Sequence, residues 1–285
     1  MPKLIQYLIR YSSYPLIMGL SLFFLLPVAA GELSYWPYVP CIAAIAIALV
    51  ALLEQIQPYE QTWLTDHEDT GVDILHASFS IVMIFITAEC ITLFRKLIDI
   101  ASFWPSTLPI WLQFLIVGLV IDFGLWLMHW LSHKKRFLWK LHALHHSAER
   151  LYWLNGERRH PLSAILLAAP GIICITLIGA PANLIGTWMG LTAIHLAFQH
   201  ANLDYSVGVF RPLLGVAEVH RWHHKHGFGR KNFGEFWMIW DHLFGTYYYE
   251  SKPVKAGQVG LKTALPKTYL KQIRWPFARK NQSDT

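Results

Sequence analysis

Eight histidines stand out from the sequence because they fall into three short clusters with metal-ligand spacing. The clusters are His129-x-x-x-His133, His142-x-x-His145-His146 and His220-x-x-His223-His224. Neutral imidazole is a good ligand for iron, zinc, copper and nickel. A single zinc ion normally takes three or four protein ligands, so this many imidazoles indicate two metal ions.

The spacing within each cluster fits a helix. Residues four apart on a helix differ in direction by about 40°, so His129 and His133 share one face. The neighbours His145 and His146 diverge by about 100°, which lets one helix serve two metals. The third cluster repeats this pattern. We therefore predict that three helix ends converge on one bimetal pocket.

Two residues outside the clusters are further candidates for this pocket. His200 ends a later apolar segment and can enter the pocket as a ninth ligand. Asp122 precedes His129 by seven residues, or about two helical turns, and so lies on nearly the same face. A carboxylate inside an apolar span is costly, so we expect Asp122 to accept a hydrogen bond from a ligand imidazole. The roles of His195 and His160 stay open.

The composition indicates which elements position these residues. The chain has 285 residues, 54% of them hydrophobic, with a mean hydropathy of +0.33, which is too apolar for soluble domains. An all-α, polytopic transmembrane bundle is predicted. We expect about six spans, with two of the hairpins only half-inserted as an alternative. The spans are residues 15–30, 38–53, 72–94, 108–129, 162–180 and 184–200.

The basic residues predict the orientation of the bundle. Of the 24 Lys and Arg residues, 20 follow His133 and lie beside the spans, which argues against a nucleic-acid partner. By the positive-inside rule both termini are cytoplasmic, and so is a helical cap that carries the histidines. Arg95 and Lys96 fall in a predicted external loop and count against this topology. For the first thirty residues a cleaved signal peptide is the alternative.

Further motifs surround the clusters. They are Arg159-His-Pro161, Gln199-His-Ala-Asn202, Asn232-Phe-Gly234 and Trp240-Asp-His-Leu-Phe-Gly-Thr246. With the three histidine boxes, they resemble the fatty acid hydroxylase and sterol desaturase superfamily of integral-membrane di-iron enzymes, and its bacterial-type members in particular. The similarity covers residues 110–250.

The resemblance implies a membrane enzyme with two iron ions, O2 as co-substrate and an aliphatic lipid substrate. Asp122, Asn232 and Asp241 are then expected to orient the metal ligands. His195 and His200 depart from the His-x-x-x-His spacing that fatty-acid 2-hydroxylases of the family carry on the later hairpin. The metal ligands implied are His129, His133, His142, His145, His146, His200, His220, His223 and His224.

We expect the chain to have three parts. Residues 1–107 are predicted to form N-terminal membrane helices and a cytoplasmic loop, residues 108–250 the catalytic domain, and residues 251–285 a cytoplasmic tail. No flavin or nicotinamide motif is present, so an external cytochrome b5-, ferredoxin- or reductase-type protein is expected to supply electrons. The bacterial inner membrane is favoured over the endoplasmic reticulum.

The reaction expected is hydroxylation or desaturation of an aliphatic C–H bond. A sterol, a fatty acyl chain, an alkyl ether lipid and a carotenoid-like molecule all remain open as substrates. The alternative is a polytopic membrane metal transporter, or a metal-binding protein without oxygenase activity.

Overall fold

The computed structural model describes residues 1–98 and 102–278, and its regular structure is helical. The last predicted part of the tail, residues 279–285, lies outside the described residues. β-Structure in the described part is limited to three isolated bridges, which confirms the all-α prediction. The long helices are α1 (Lys3–Ala29), α2 (Tyr35–Ile56), α3 (Thr70–Ile98), α4 (Ile110–Lys134), α6 (Pro161–Ile178) and α7 (Ala182–His200).

Shorter elements complete the fold. The short helices are α5 (Arg136–His146), α8 (Ala217–His224), α9 (Ile239–Leu243) and α10 (Tyr269–Arg274). Single 3-10 turns lie at Gln61–Leu64, Trp153–Glu157, Gly208–Phe210 and Trp275–Phe277. Helices α5 and α8 each carry one histidine box, and the turn Trp153–Glu157 lies between α5 and α6 along the chain.

Five helices of the described residues are long and apolar enough to cross a membrane, so the chain is an integral membrane protein. They are α1, α2, α3, α4 and α6. The predicted sixth span corresponds to α7, which is not among them. Fourteen of its 19 residues are buried, because α1, α2, α4 and α8 pack around it. A helix covered by protein does not require a lipid-facing apolar surface and can carry polar residues such as Gln199.

The long helices run side by side, so the bundle has two ends, and the site lies at one of them. At one end, the backbone N–H of Ser206, just after α7, donates to the carbonyl of Arg10 in α1. At the opposite end, the side chain of Asn183 donates to the carbonyls of Val28 and Ala29, where α1 stops. The carboxyl ends of α4 and α7 both lie at the Arg10 end. His129, His133 and His200 therefore lie at the same end of the bundle.

Helices α4 and α6 approach closely through two glycines. A Cβ atom added to Gly124 would lie 2.5 Å from the backbone nitrogen of Gly171, and one added to Gly171 would lie 2.7 Å from the Cα of Ile121. Both clashes involve backbone atoms, which cannot be relieved by a side-chain rotation. The absence of side chains at these positions therefore sets the distance between the two helices.

We predict that Gly171→Ala separates α4 from α6 and destabilises the protein by about 1–3 kcal/mol, because an added methyl group overpacks the contact. Thermal unfolding of the purified protein in detergent measures the change. Gly19→Ala in α1 is the matched control, since a Cβ there meets no atom within 4 Å. Equal melting temperatures for the two variants would contradict the assignment.

Candidate metal centre

Four chain segments bring all nine predicted ligands together at one end of the bundle. The segments are the last turns of α4 and α7 and the helices α5 and α8. The imidazoles form two groups in which the ligand nitrogens lie within 4.8 Å of one another. The first group contains His129, His133, His142, His146 and His223, and the second contains His145, His200, His220 and His224.

The imidazoles point their Nε2 atoms at one another. In the first group the Nε2 atoms of His129 and His223 are 2.9 Å apart, and that of His146 is 3.1 Å from those of His133 and His142. In the second group the distances from His200 are 3.3 Å to His145 and 3.1 Å to His220. Donors about 2 Å from a common cation have such separations. The geometry of each group therefore fits one metal ion.

The two groups adjoin each other. The rings of His146 and His224 stack with their centroids 4.6 Å apart, and those of His142 and His145 are 5.2 Å apart. Helix α5 supplies ligands to both groups, because His145 diverges from His142 and His146 around the helix. This geometry agrees with the prediction that one helix contributes imidazoles to two metal sites.

Backbone carbonyls fix the orientation of several rings through the outer nitrogen, Nδ1. The Nδ1–H of His129 donates to the carbonyl of Phe233 at 2.9 Å, and that of His223 donates to Lys231 at 2.7 Å. His200 donates to Leu196 at 3.1 Å. A proton on Nδ1 leaves the Nε2 lone pair free for a metal.

The buried position of the boxes favours neutral imidazole. Burial, followed by repulsion from neighbouring imidazoles, lowers the pKa of the α5 histidines His142, His145 and His146 well below the usual value. The same causes act on His220 and His224 in α8. The neutral form is the one that binds a metal ion.

Asp241 and Asn232 hold the segment that carries Phe233. The carboxylate of Asp241 accepts hydrogen bonds from the backbone N–H groups of Phe233 and Gly234 at 2.9 and 2.7 Å. Asn232 has a φ of +57° and donates to the carbonyl of Val219 in α8 at 3.0 Å. These contacts position the Phe233 carbonyl that accepts from His129. The predicted role of both residues in orienting ligands stays a prediction.

Asp122 makes other contacts than the sequence predicted. Its buried carboxylate accepts from the backbone N–H groups of Phe236 and Trp237 and from the indole of Trp240, at 2.8, 3.3 and 2.9 Å. We expected a direct hydrogen bond from an imidazole, and the described contacts of Asp122 include none. Asp122 precedes His129 by about two turns of α4. At that level the segment after Gly234 packs against α4, and its backbone N–H groups reach the carboxylate. Any influence on the ligands is thus indirect.

Glu235 is a site residue that the sequence analysis missed. Its Oε1 lies 3.2 Å from the Nδ1 of His129, and its Oε2 lies 3.5 Å from a guanidinium nitrogen of Arg159. Burial opposes ionisation of Glu235, but Arg159 and His129 outweigh burial and lower its pKa to about 2. Its position next to the Asn232-Phe-Gly234 motif was the available signal.

The two open histidines lie outside both groups. His195 accepts a hydrogen bond from the hydroxyl of Tyr14 at 2.8 Å and donates to the carbonyl of Gly215 at 3.2 Å. His160 caps α6, because its Nδ1 accepts from the backbone N–H of Leu162. Both rings are thus committed to structural hydrogen bonds.

Comparison with known proteins gives the family. A family model described as "Fatty acid hydroxylase" matches residues 114–246. Ornithine lipid hydroxylase OlsE of Rhizobium tropici is 34% identical over 251 residues, which are 84% of this chain and 75% of that protein. The chain belongs to the fatty acid hydroxylase family. The resemblance stated from the histidine boxes is confirmed, and the chain is a membrane enzyme of a di-iron hydroxylase family that acts on lipids.

Other members of the family are more distant and overlap only in part. Methylsterol monooxygenase 2-2 of Arabidopsis thaliana is 26% identical over 145 residues, which are 50% of this chain and 54% of that protein. Alkylglycerol monooxygenase of Danio rerio is 29% identical over 164 residues, which are 54% of this chain and 34% of that protein. No solved structure matches the chain.

The division into two groups predicts selective metal loss. We expect His200→Ala to remove about one metal ion per chain, because it takes away one of four ligands of the second group. Elemental analysis of purified protein measures the metal content. His226→Ala is the control, since this exposed imidazole lies outside both groups. Unchanged metal content in His200→Ala would contradict the assignment of His200.

The lowered imidazole pKa values predict how metal binding depends on pH. An exposed histidine cluster is half protonated at about pH 6.5. The buried imidazoles of α5 and α8 stay neutral to lower pH, so we expect full metal content at this pH and loss only on further acidification. Dialysis at a series of pH values followed by elemental analysis tests this, with an exposed polyhistidine peptide as reference. Loss of half the metal at pH 6.5 would contradict it.

Proposed function

We propose that the chain is a di-iron, O2-dependent hydroxylase of a membrane lipid. The observation that carries the proposal is the pair of adjoining, buried imidazole groups at one end of a membrane-spanning bundle. Iron bound there would activate O2 to oxidise an unactivated C–H bond. The family match supports iron as the metal.

The donor set fits two iron ions. Imidazole is a preferred ligand of iron, and the first group offers five imidazoles and the second four. The Nδ1 atoms of His142, His145, His220 and His224 are buried without a hydrogen-bond partner among the described residues. The Nε2 atoms, on the other side of each ring, point at one another. Burying them in this way is unfavourable unless a cation binds between them.

The protein supplies position and exclusion of water. Eight of the nine imidazoles are buried, and His133 is partly exposed. Glu235 contacts the Nδ1 of His129 directly. Asp241 binds the backbone N–H of Phe233, whose carbonyl accepts a hydrogen bond from His129. Such support keeps donors in place during turnover and keeps bulk water from the reacting carbon.

The location of the site suits a lipid substrate and a soluble electron donor. Lys134 ends α4, and the basic residues Lys135 and Arg136 follow it at the end of the bundle that carries the imidazole groups. We infer that this end and both termini are cytoplasmic, by the positive-inside rule, because α7 returns the chain to this end after the five candidate spans. A lipid reaches the site from the bilayer, and a ferredoxin- or cytochrome b5-type donor approaches from the cytoplasm. A reporter enzyme fused to the C-terminus and active only in the cytoplasm tests the orientation.

The substrate proposed for the first test is an ornithine lipid. Support comes from the relative named ornithine lipid hydroxylase, which aligns over 84% of this chain. The relatives named as hydroxylases and monooxygenases favour hydroxylation over desaturation. A bacterial inner membrane suits this substrate and the Rhizobium relative.

Metal transport is the alternative, and the position of the ligands argues against it. Transporters hold their ions near the bilayer midplane on broken helices. Here the ligands lie in the last turns of α4 and α7 and on two short helices outside the candidate spans. Metal flux into proteoliposomes without oxygenated product would favour transport.

The proposed reaction predicts a mass gain of one oxygen in a membrane lipid. The iron-loaded protein in lipid nanodiscs, supplied with ornithine lipid, O2 and a reduced ferredoxin with its reductase, is expected to form the product. Mass spectrometry of extracted lipid measures it. Protein with His146→Ala is expected to lose more than about 99% of the activity, because His146 lies at the junction of both groups. Full turnover by metal-stripped protein would overturn the proposal.

A further inference from the structure

The carboxylate of Glu54, near the end of α2, holds two segments that lie beside His200. Its Oε2 accepts hydrogen bonds from the backbone N–H of Trp153 at 3.1 Å and from that of Asn202 at 3.0 Å. Glu54 is buried in this position. Trp153 begins the 3-10 turn Trp153–Glu157, and Asn202 follows His200 by two residues. One oxygen atom thus joins α2 to two segments next to a predicted metal ligand.

Both segments determine where the imidazole of His200 lies. A Cβ added to Gly156, within the turn, would lie 3.1 Å from the Nδ1 of His200 and 3.3 Å from the carbonyl oxygen of Leu196. The same carbonyl accepts the Nδ1–H of His200. The turn therefore packs against the edge of this ring, and Asn202 fixes the chain where α7 ends. A shift of either segment would move the Nε2 of His200 away from the other imidazoles of the second group.

The side chain of Asn202 adds to the same connection. Its Oδ1 accepts from the backbone N–H of Glu60 at 2.9 Å, and its Nδ2 donates to the carbonyl of Glu60 at 3.0 Å. The carbonyl of Asn202 accepts from the backbone N–H of Tyr59 at 2.9 Å. The chain that follows α2 is therefore paired with the chain that follows α7. These contacts give a structural role to the last residue of the Gln199-His-Ala-Asn202 motif.

Arg221 extends the connection to α8, which carries the third histidine box. One nitrogen of its guanidinium donates to the carbonyls of Ala201 and Leu203 at 2.8 and 3.0 Å. The guanidinium also stacks on Tyr59, with its Cζ 3.6 Å from the centre of the ring. The segment after α7 is thus held by α2 and its loop on one side and by α8 on the other.

The first imidazole group is held by different residues. Its described support comes from Asp241, Asn232 and Glu235, all of which follow α8 in the chain. The described hydrogen bonds of Glu54 reach none of these residues and no member of the first group. Glu54 also lies outside residues 114–246, which the family model matches. The two halves of the metal centre therefore depend on different parts of the chain.

We propose that Glu54 and Asn202 are positioning residues for the second metal ion, so that α2, a candidate membrane span, completes one half of the metal centre. The inference rests on the proposed binding of two metal ions and specifies what each ion depends on. Loss of the Glu54 contacts frees His200 to move, while the first group keeps all five imidazoles. Removing a hydrogen bond that orients a ligand typically lowers metal affinity by about 10- to 100-fold.

Anaerobic titration of the metal-free, full-length protein with Fe2+ in detergent counts the sites and measures the affinity of each. We expect wild type to bind two ions. In Glu54→Ala, one ion should keep its affinity and the other should bind about 10- to 100-fold more weakly. Glu54→Gln should retain both, because its amide oxygen still accepts from the two N–H groups. Gln55→Ala, at the exposed neighbouring position of α2, is the control that should match wild type.

Double variants identify the ion that is affected. In a His200→Ala background, Glu54→Ala should cause no further loss, because both changes act through the same ligand. In a His129→Ala background, which weakens the first group, Glu54→Ala should leave no tightly bound ion. Equal further loss in both backgrounds, or weaker binding of both ions in Glu54→Ala alone, overturns the proposal.

Thermal unfolding of the metal-free variants in detergent checks that each one folds. Asn202→Ala keeps the backbone N–H that Glu54 binds and removes the pairing with Glu60, so it is the milder variant. It should weaken the same ion by a smaller factor. Unchanged affinity for both ions in Glu54→Ala, or in Asn202→Ala where Glu54→Ala does not fold, overturns the proposal.

The titration separates this inference from the proposed function. Wild type that binds fewer than two ions overturns the proposed metal centre and this inference with it. The expected pattern of affinities, without oxygenated lipid after supply of O2 and electrons, supports the positioning role and contradicts the hydroxylase function alone.

Discussion

The structure depends on packing nine imidazoles, eight of them buried, so that they face one another. Neutral imidazoles 2.9–3.3 Å apart at Nε2 cannot all be satisfied as donors and acceptors among themselves. Two shared cations would resolve this conflict, and the remaining elements hold the rings where such cations would bind. The helical bundle is thus a rigid frame that brings the ends of α4 and α7 to one level.

The support for this centre converges on the chain between Asn232 and Asp241. Asp122 holds this segment from within α4, and Asp241 holds it from its own end. The segment in turn presents a carbonyl and a carboxylate to His129. Two of the carboxylates, Asp122 and Asp241, thus bind backbone N–H groups of this segment, and the third, Glu235, contacts His129 directly. This arrangement gives both carboxylate oxygens of Asp122 and of Asp241 a hydrogen-bond partner inside an apolar protein.

Much of the site could be predicted from sequence because helical periodicity fixes which histidines share a face. The spacing in His142-x-x-His145-His146 is enough to predict that these imidazoles point in two directions around the helix. Contacts over long sequence separation could not be predicted in the same way. The carboxylate of Asp122 lies on the predicted helix face, yet its partners come from residues more than a hundred positions later. Glu235 was missed for the same reason. The sequence predicted six spans, and the structure has five helices that are apolar enough to cross a membrane among the described residues. The difference is α7, which carries more polar residues and is buried within the bundle.

The predicted metal ligands come from four segments that are spread along the chain, from His129 to His224. During synthesis on the ribosome, α4 and α5 are made long before α8. Both imidazole groups stay incomplete until α8 is made, because His223 belongs to the first group and His220 and His224 to the second. Binding of the proposed metal ions would therefore be a late event in the maturation of this protein, after the candidate membrane spans have been made.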